Sequence, residues 1–205
     1  MEEERKKIQQ LRNNEYYSTQ EVYDNLYERS KGRYKQRNLM EKILLEENIR
    51  LAYRNIKTNK GSQTNGLSGK NITSIGSMEL WEYIVEVRKN LENYNPQMIK
   101  EVGIPKADGK TRYLGIKEPL DKIIEQSIYQ VLNPYTIAKF HNNSNGFIDG
   151  RSCKRAIAQM NNFIIKDKLY YVVDIDIKGF FDNIDHAKLL KQLWTLGIQD
   201  KNLLS

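Results

Sequence analysis

The chain has 205 residues, 39% of them apolar, which suffices for one large domain or two small ones around a hydrophobic core. Its 33 lysines and arginines outnumber its 26 acids, and the net charge of +7 favours a polyanionic partner such as nucleic acid. A single cysteine excludes an intrachain disulfide framework, and two histidines argue against a histidine-rich metal site. No apolar segment approaches the roughly 20 residues of a membrane span. We therefore expect a soluble, cytoplasmic protein of bacterial type.

The N-terminal part is predicted to be helical around one basic run. Weak apolar anchors predict short helices within residues 1–28, and near-helical spacing of apolar residues predicts a helix over 38–56 with Asn38 as its N-cap. Residues 29–37 carry a cation at every second position and no acid, which is typical either of a solvated segment or of a phosphate-contacting element. The candidate phosphate contacts are Arg33, Lys35 and Arg37.

A loop, a helix and a basic hairpin are predicted next. Residues 57–69 are rich in Gly, Ser, Asn and Thr, which favours a loop whose backbone N–H groups can approach a ligand, with a flexible linker as the alternative. Ser77 is predicted to cap the following helix. Residues 100–106 and 112–116 flank an Asp-Gly turn, which predicts a β-hairpin rich in lysine and arginine.

Three more helices are predicted towards the C-terminus. Pro119 is predicted to open a helix that Pro134 ends. The segment 142–152 is too polar for a core element, whereas apolar spacing predicts a helix over 153–166. Asp185 is predicted to cap the last helix, which carries a stripe of leucines.

The apolar run 170–173 predicts a buried strand that carries Asp174 and Asp176 at its end. Residues two apart in a strand share a face, so the two carboxylates would point the same way. A buried carboxylate is costly unless a cation or hydrogen-bond donors meet it. A metal ion is one candidate partner, and nearby lysine or arginine side chains are the alternative.

Residues 173–186, which are Val-Asp-Ile-Asp-Ile-Lys-Gly-Phe-Phe-Asp-Asn-Ile-Asp-His, closely resemble the first catalytic palm motif of group II intron reverse transcriptases, also called intron maturases. Other segments resemble, in chain order, that family's N-terminal extension loop, its fingers hairpin, the helix after the hairpin and the template-side loop. These segments are residues 60–66, 104–116, 121–126 and 145–152. The resemblance extends over residues 38–205.

The resemblance implies an α+β fold, namely the fingers and partial palm of a reverse transcriptase, with a helix-rich N-terminal extension, a basic β-hairpin and a palm strand. It also implies that the chain is divided into three structural parts. Residues 1–80 would form the helical extension with its RNA-binding loop, residues 81–167 the fingers, and residues 168–205 the beginning of a truncated palm.

The same resemblance implies roles for individual residues. Asp176, with the backbone carbonyl of Ile177, would coordinate catalytic Mg²⁺, of which the complete enzyme uses two ions. Lys106 and Arg112 would hold the incoming triphosphate, and Phe181 would stack under the sugar and exclude a 2′-hydroxyl. The implied nucleic-acid contacts are Lys60, Gly61, Ser62, Thr64, Gly115, Asn145, Gly146, Phe147 and Arg151.

The implied function is that of an RNA-directed DNA polymerase, with template or intron RNA, a DNA primer and dNTP as partners and no membrane. The chain has no Asp-Asp dipeptide of the kind found in the family's second carboxylate motif, so we expect an N-terminal fragment that binds RNA without polymerising alone. The alternative is a non-catalytic maturase region that assists intron splicing. A homodimer is a further hypothesis, through apolar positions that an incomplete palm would leave uncovered. These positions are Leu189, Leu193 and Leu196.

Overall fold

The computed structural model describes residues 9–107, 109–148 and 150–205. The chain divides into two compact units. The first unit comprises Met1–Leu26 and Asn38–Pro134, and the second comprises Tyr27–Arg37 and Tyr135–Ser205. This division by contacts does not test the division into extension, fingers and palm, which stays a prediction.

Helices dominate the first unit. They are α1 (Gln9–Tyr16), α2 (Gln20–Lys31), α3 (Leu39–Ile43), α4 (Glu46–Lys57), α5 (Ile72–Gly76), α6 (Leu80–Glu92) and α7 (Pro119–Ile137), and a short 3-10 turn forms at Lys60–Gln63. Helices α2 and α7 begin in this unit and end in the second one. The helices predicted within residues 1–28 are confirmed from Gln9 onward, and residues 1–8 lie outside the described part. Within the described ranges, no helix is long and apolar enough to cross a membrane.

Two predicted helix starts differ from the structure. The helix predicted over 38–56 is divided into α3 and α4, because Leu45 has an extended backbone with ψ 136° that interrupts the hydrogen-bond ladder. The division leaves both Ile43 and Ile49 fully buried, which offsets the lost hydrogen bonds. Asn38 precedes α3 but makes no capping hydrogen bond with its side chain. The predicted cap Ser77 instead ends α5, and α6 begins at Leu80.

The helices of the first unit meet at the buried amide of Asn48 in α4. Its Oδ1 accepts hydrogen bonds from the Tyr23 hydroxyl of α2 and from Nε2 of Gln130 in α7, both at 2.8 Å. Its Nδ2 donates to the backbone carbonyls of Ile43 at 3.0 Å and Ser127 at 3.1 Å. Burial raises the pKa of the Tyr23 hydroxyl far above its ordinary value, so this group remains a donor at neutral pH. All hydrogen-bonding positions of the Asn48 amide are therefore used.

The apolar core of the first unit is drawn from six helices, α2 to α7, of which α5 contributes the buried Ile72. Its fully buried side chains include Leu26, Leu39, Ile43, Ile49, Leu51, Val87, Ile123 and Val131. Burying one such side chain contributes about 1.5–3 kcal/mol. Packing of these amphipathic helices, and not helix propensity, therefore supplies most of the stability of the unit.

A two-stranded antiparallel sheet confirms the predicted hairpin. The strands are β1 (Lys100–Pro105) and β2 (Thr111–Ile116). At the turn, the N–H of Lys106 donates to the Lys110 carbonyl at 2.7 Å. Gly109 has φ +79°, which glycine adopts without steric cost, and Asp108 of the predicted turn lies outside the described residues.

The loop over residues 57–70 is held by Glu118, which immediately precedes α7. Glu118 is only 4% exposed, and its carboxylate accepts hydrogen bonds from the N–H of Ser68 at 2.9 Å and from its hydroxyl at 2.5 Å. A Cβ at Gly66 would overlap the Glu118 carboxyl group, so glycine is needed there. Burial raises the pKa of the Glu118 carboxyl, but hydrogen bonds from Ser68 and Leu67 outweigh this effect and lower the pKa below its ordinary value. The loop is thus an ordered element, and the flexible-linker interpretation is wrong.

Pro134 lies inside α7, so the prediction that it ends this helix is wrong: α7 continues to Ile137. A proline within a helix removes one intrahelical hydrogen bond, because it has no N–H. The loss is offset by Tyr135, which is fully buried. Its hydroxyl donates to the Tyr34 carbonyl at 3.0 Å, and its own carbonyl accepts from the Ser30 hydroxyl at 2.7 Å.

The remaining helices belong to the second unit. They are α8 (Cys153–Ile165), α9 (His186–Leu196) and α10 (Lys201–Leu204), with a short 3-10 turn at Phe181–Asn183. The predicted cap of α9 is confirmed, because the Asp185 carboxylate accepts from the Lys188 N–H at 3.0 Å. Gly197 ends α9 in the left-handed conformation, with φ +112°. The next residue, Ile198, is fully buried and forms a parallel bridge with Gln36.

Residues 170–177 form no strand, which contradicts the predicted palm strand. The segment is irregular and exposed, with Tyr171 98% and Ile175 81% accessible to solvent. A strand needs a hydrogen-bonded neighbour. Within the described part of the chain, the one sheet consists of β1 and β2, and residues 170–177 pair with neither strand. The shared face predicted for Asp174 and Asp176 is therefore not formed here.

We expect the substitution Asn48→Ala to lower the free energy of unfolding by about 3 kcal/mol or more, because it leaves several buried donors and acceptors without partners. Urea unfolding followed by circular dichroism measures this change. The matched control is Asn90→Ala, whose amide is exposed and bonds only to Glu86 on its own helix. A similar loss in both variants would contradict the role assigned to Asn48.

We expect Glu118→Gln to destabilise the first unit by about 1.5–3 kcal/mol at pH 7, the range for hydrogen bonds to charged groups. Because the pKa of Glu118 is lower in the folded than in the unfolded chain, its ionised form stabilises the fold above about pH 4.5, the ordinary value, and this contribution is lost as the pH falls through the folded-state pKa. The difference between wild type and variant should therefore shrink on acidification. Glu92→Gln, an exposed control, should run parallel to wild type.

Candidate nucleic-acid interface

The hairpin carries the two predicted triphosphate ligands on one face. Arg112 on β2 lies opposite Ile104 on β1, and Lys106 follows Ile104 by two residues. Opposite residues share a face of a sheet, as do residues two apart, so Lys106 and Arg112 project together. Both side chains are exposed, and among the described residues neither has a recorded ion pair or hydrogen bond. The hairpin therefore offers two adjacent cations to an anion.

Gly115, a predicted template contact, has a local packing reason to be glycine. It lies in β2 opposite Glu101. A Cβ at this position would come within 2.8 Å of the Ile99 side chain, closer than real Cβ contacts. A larger residue here would require the half-exposed Ile99 side chain to shift, so local packing favours glycine.

Asp176 lies in the exposed irregular segment, just before a tight turn. Gly179 has φ +60°, and its carbonyl accepts from Nδ2 of Asn183 at 2.7 Å. The turn sets the rings of Phe180 and Phe181 edge to face, with centroids 5.4 Å apart. Phe181 is 83% exposed, so its ring is open to a flat ligand.

The oxygen donors at this turn are of the class that Mg²⁺ prefers, but they are few. Mg²⁺ takes an octahedral set of carboxylate, carbonyl and water oxygens. The Asp176 carboxylate and the Ile177 carbonyl belong to that class. In residues 9–107, 109–148 and 150–205, however, no three His, Cys, Asp or Glu side chains are grouped so as to hold a metal ion. These residues fit one edge of a metal site and need further ligands to complete it.

The polar loop after α7 is organised by two of its predicted RNA contacts. Nη1 of Arg151 donates to the backbone carbonyls of His141 at 2.8 Å and Ser144 at 2.6 Å. Nδ2 of Asn145 donates to Oε1 of Gln159 at 2.6 Å. These hydrogen bonds fix the conformation of the loop. Arg151 and Asn145 therefore have a structural role in the loop itself, in addition to any contact with RNA.

The same loop presents Gly146 and Phe147 to solvent. The Phe147 ring is fully exposed, and its backbone has φ +56°. A left-handed conformation is uncommon for a bulky residue and costs about 1–3 kcal/mol. An exposed aromatic ring held at that cost indicates a contact surface, and unpaired RNA bases stack on such rings. Asp149, two residues further on, lies outside the described residues.

The ordered loop of the first unit exposes most of its predicted RNA contacts. Lys60, Gly61 and Thr64 are exposed. Ser62 is buried, and its hydroxyl donates to the Lys57 carbonyl at 3.2 Å, so it shapes the loop from within.

The basic run in the second unit is exposed and is fixed at its C-terminal end. Its predicted phosphate contacts are Arg33, Lys35 and Arg37. The Arg29 guanidinium lies 5.6 Å from the ring centroid of Tyr34, within cation–π range. The N–H of Gln36 donates to the Gly197 carbonyl at 2.9 Å, which holds the end of the run against the turn after α9.

Glu118 is the residue of this interface that sequence reasoning missed. Its partners in the loop, Gly66 and Ser68, lie about 50 residues earlier in the chain, so no local pattern connects them. The available signals are weak: a conformationally permissive glycine in the loop and an acid directly before Pro119.

Comparison with known proteins places these features in a family. Residues 104–205 match the family model for reverse transcriptase, an RNA-dependent DNA polymerase. The group II intron-encoded protein LtrA of Lactococcus lactis subsp. cremoris is 33% identical over 156 residues, which are 75% of this chain and 25% of that protein. A 91 kDa protein in the cob intron of Schizosaccharomyces pombe is 34% identical over 160 residues, which are 77% of this chain and 19% of that protein.

A Saccharomyces cerevisiae protein named for intron 1 of COX1/OXI3 is 27% identical over 172 residues, which are 84% of this chain and 20% of that protein. The chain therefore spans a quarter or less of the length of each of these relatives. The matched region contains β2, the polar loop and the turn around Asp176. The chain belongs to the family of group II intron-encoded reverse transcriptases and maturases.

Proposed function

We propose that this chain forms the fingers and the beginning of the palm of a longer RNA-directed DNA polymerase encoded by a group II intron. In this proposal the chain binds template or intron RNA, and the longer protein joins dNTP to a DNA primer in a Mg²⁺-dependent reaction. The observation that carries the proposal is the exposed hairpin with Lys106 and Arg112 on one face.

Those two cations suit a triphosphate. A guanidinium binds two phosphate oxygens at once through its planar pair of N–H groups. An ammonium on a flexible side chain can move to contact a third phosphate oxygen. Nothing within the described chain competes for either side chain through a recorded ion pair. Arg112 would therefore orient the phosphates, and Lys106 would neutralise charge on them.

Asp176 and the Ile177 carbonyl would hold one edge of a Mg²⁺ site whose remaining ligands come from elsewhere in the longer protein. When bound, the ions would stabilise the charge that develops during in-line phosphoryl transfer. The exposed Phe181 ring, five residues after Asp176, would contact the sugar of the nucleotide and leave no room for a 2′-hydroxyl. Gly115, Gly146 and Phe147 would contact template or primer.

A non-catalytic maturase function is the second candidate, and the ordered loop over 57–70 favours it. A loop fixed by Glu118 loses little conformational entropy when it binds folded RNA. Lys60, Gly61 and Thr64 would make these contacts, and the basic run would add phosphate contacts. The two functions are compatible in one protein, because RNA binding serves both.

Three further expectations complete the proposal. The predicted division into extension, fingers and palm gives the chain one RNA-binding part and two polymerase parts. A cytoplasmic location would give the protein access to intron RNA. A homodimer would bury α9, on which Leu189 is exposed and Leu193 and Leu196 are half-buried.

We expect single-stranded RNA to bind this chain with an affinity that falls steeply with salt, because phosphate contacts release counterions. For single strands the slope of log K against log salt changes by about 0.7 per phosphate contact. Arg33→Gln combined with Lys35→Gln should therefore reduce the slope by about 1.4. The charge-matched control is Lys89→Gln with Lys166→Gln, both exposed and outside the proposed contacts. A flat salt response would refute the basic-run contacts.

We expect Asp176→Asn in the longer protein to lower primer extension by at least about a hundredfold, because an amide replaces a metal-binding carboxylate of nearly the same shape. RNA affinity should stay within about twofold, since Asp176 is not a phosphate contact. The control is Asp167→Asn, an exposed acid outside the motif. Primer extension at the wild-type rate in Asp176→Asn would remove the catalytic assignment.

A further inference from the structure

A cavity of about 450 Å³ lies within the second unit, beside the end of the basic run. Its walls are Arg37, Trp194, Gln199, Asp200, Lys201 and Asn202. The volume lies within the range of about 300–1,000 Å³ that is typical of small-molecule sites. Of these residues only Arg37 belongs to the predicted phosphate contacts, so the cavity is distinct from the hairpin and from the turn at Asp176.

One wall is built by backbone pairing. The Gln36 N–H donates to the Gly197 carbonyl at 2.9 Å, and the Gln199 N–H donates to the Gln36 carbonyl at 2.7 Å. Together these bonds form the parallel bridge to the fully buried Ile198. Arg37, the next residue, is therefore held close to Gln199, and it is exposed and lines the cavity.

A second part of the lining is fixed by Asp200. This residue is buried, and its Oδ1 accepts from the N–H groups of Asn202 at 3.0 Å and Leu203 at 3.3 Å. These bonds cap α10 and set the positions of Lys201 and Asn202 at the cavity. With two cations and one acid among its lining side chains, the cavity carries a net positive charge.

The remaining groups distinguish between anionic ligands. Trp194 is 40% exposed and gives the cavity an aromatic surface, which a bare phosphate or an acidic side chain would not use. The Gln199 amide donates from Nε2 to the Trp194 carbonyl at 3.4 Å, and its second N–H and its oxygen, like the Asn202 amide, can pair with the edge of a nucleobase. A ligand that combines a flat heterocycle with a phosphate satisfies all of these groups.

We propose that this cavity binds one unpaired nucleotide of single-stranded RNA, with its base on Trp194 and its neighbouring phosphates on Arg37 and Lys201. The proposal rests on the RNA binding proposed above and adds a defined nucleotide site to it. The nucleotide must be unpaired, because a base inside a duplex is already stacked on both faces and cannot reach a tryptophan ring.

Tryptophan fluorescence tests this site directly. The chain has two tryptophans, Trp81 and Trp194, so Trp81→Phe leaves Trp194 as the single reporter. Labelled oligouridylate is titrated into this variant, and fluorescence and anisotropy are recorded together. We expect quenching of Trp194 that saturates with the anisotropy, and no quenching by a duplex RNA of equal length.

Substitutions give the second readout. Trp194→Ala should weaken oligouridylate binding by at least about fivefold, because base stacking on an aromatic side chain is worth at least about 1 kcal/mol. Trp194→Phe should restore most of that loss. Arg37→Gln with Lys201→Gln should weaken binding more than the charge-matched pair Lys89→Gln with Lys166→Gln. Thermal unfolding verifies that each variant is folded.

Each outcome decides the proposal. Binding without quenching of Trp194, with Trp194→Ala equal to wild type, overturns the nucleotide site and leaves the proposed RNA binding intact. Equal quenching by duplex RNA overturns the requirement for an unpaired base. Absence of any RNA binding overturns the proposed function and, with it, this site.

Discussion

The buried amide of Asn48 is the interaction on which the first unit depends, because α2 and α7 both satisfy polar groups on it. A buried amide is tolerated only when its donors and acceptors are all paired, so the helices must meet in one register. This register fixes α7, and Glu118 immediately precedes that helix. The position of the Glu118 carboxylate, and of the loop it holds through Ser68, therefore follows from a contact made in the core.

The second unit uses backbone pairing and a buried tyrosine for the same purpose. Tyr135 accepts a hydrogen bond from Ser30 and donates one to the Tyr34 carbonyl, which fixes the start of the basic run. The bridge between Gln36 and Ile198 fixes its end. A segment that would be extended and solvated by composition alone is thereby held at both ends, and its cations occupy defined positions.

The fold was predictable where the signal is local and not where it is tertiary. Asp185 caps α9 as expected, and the Asp-Gly turn forms its hairpin, because both depend on a few adjacent residues. Pro134 does not end α7, because Tyr135 stabilises the helix beyond it through partners about 100 residues away, which no local pattern indicates. The run 170–177 has strand-forming residues, but a strand also needs an edge to pair with, and sequence pattern does not show whether one is present.

The same distinction applies to the candidate interface. The residue types at Lys106 and Arg112 follow from the motif, and their common face follows from hairpin register. The hydrogen bonds between Glu118 and Ser68, and the cavity beside Trp194, each combine residues that are distant in sequence. The spacing of residues along the chain therefore could not have indicated them. Family motifs therefore indicated the residues that we propose for polymerase chemistry, while the surfaces particular to this chain emerged only from the packing.

The two elements of the first unit that we propose to bind phosphate groups, the hairpin and the loop over 57–70, differ in stiffness for a physical reason. The hairpin has no buried residue in either strand, so only its ladder and turn stabilise it, and an isolated two-stranded sheet is marginal in water. The loop over 57–70 is instead fixed by a buried, ionised carboxylate. A ligand that meets the hairpin must order it and loses affinity in doing so, whereas RNA that meets the loop finds it already ordered. In the proposed function, the hairpin would therefore suit a ligand that is bound and released in each cycle, and the loop would suit a partner that stays bound.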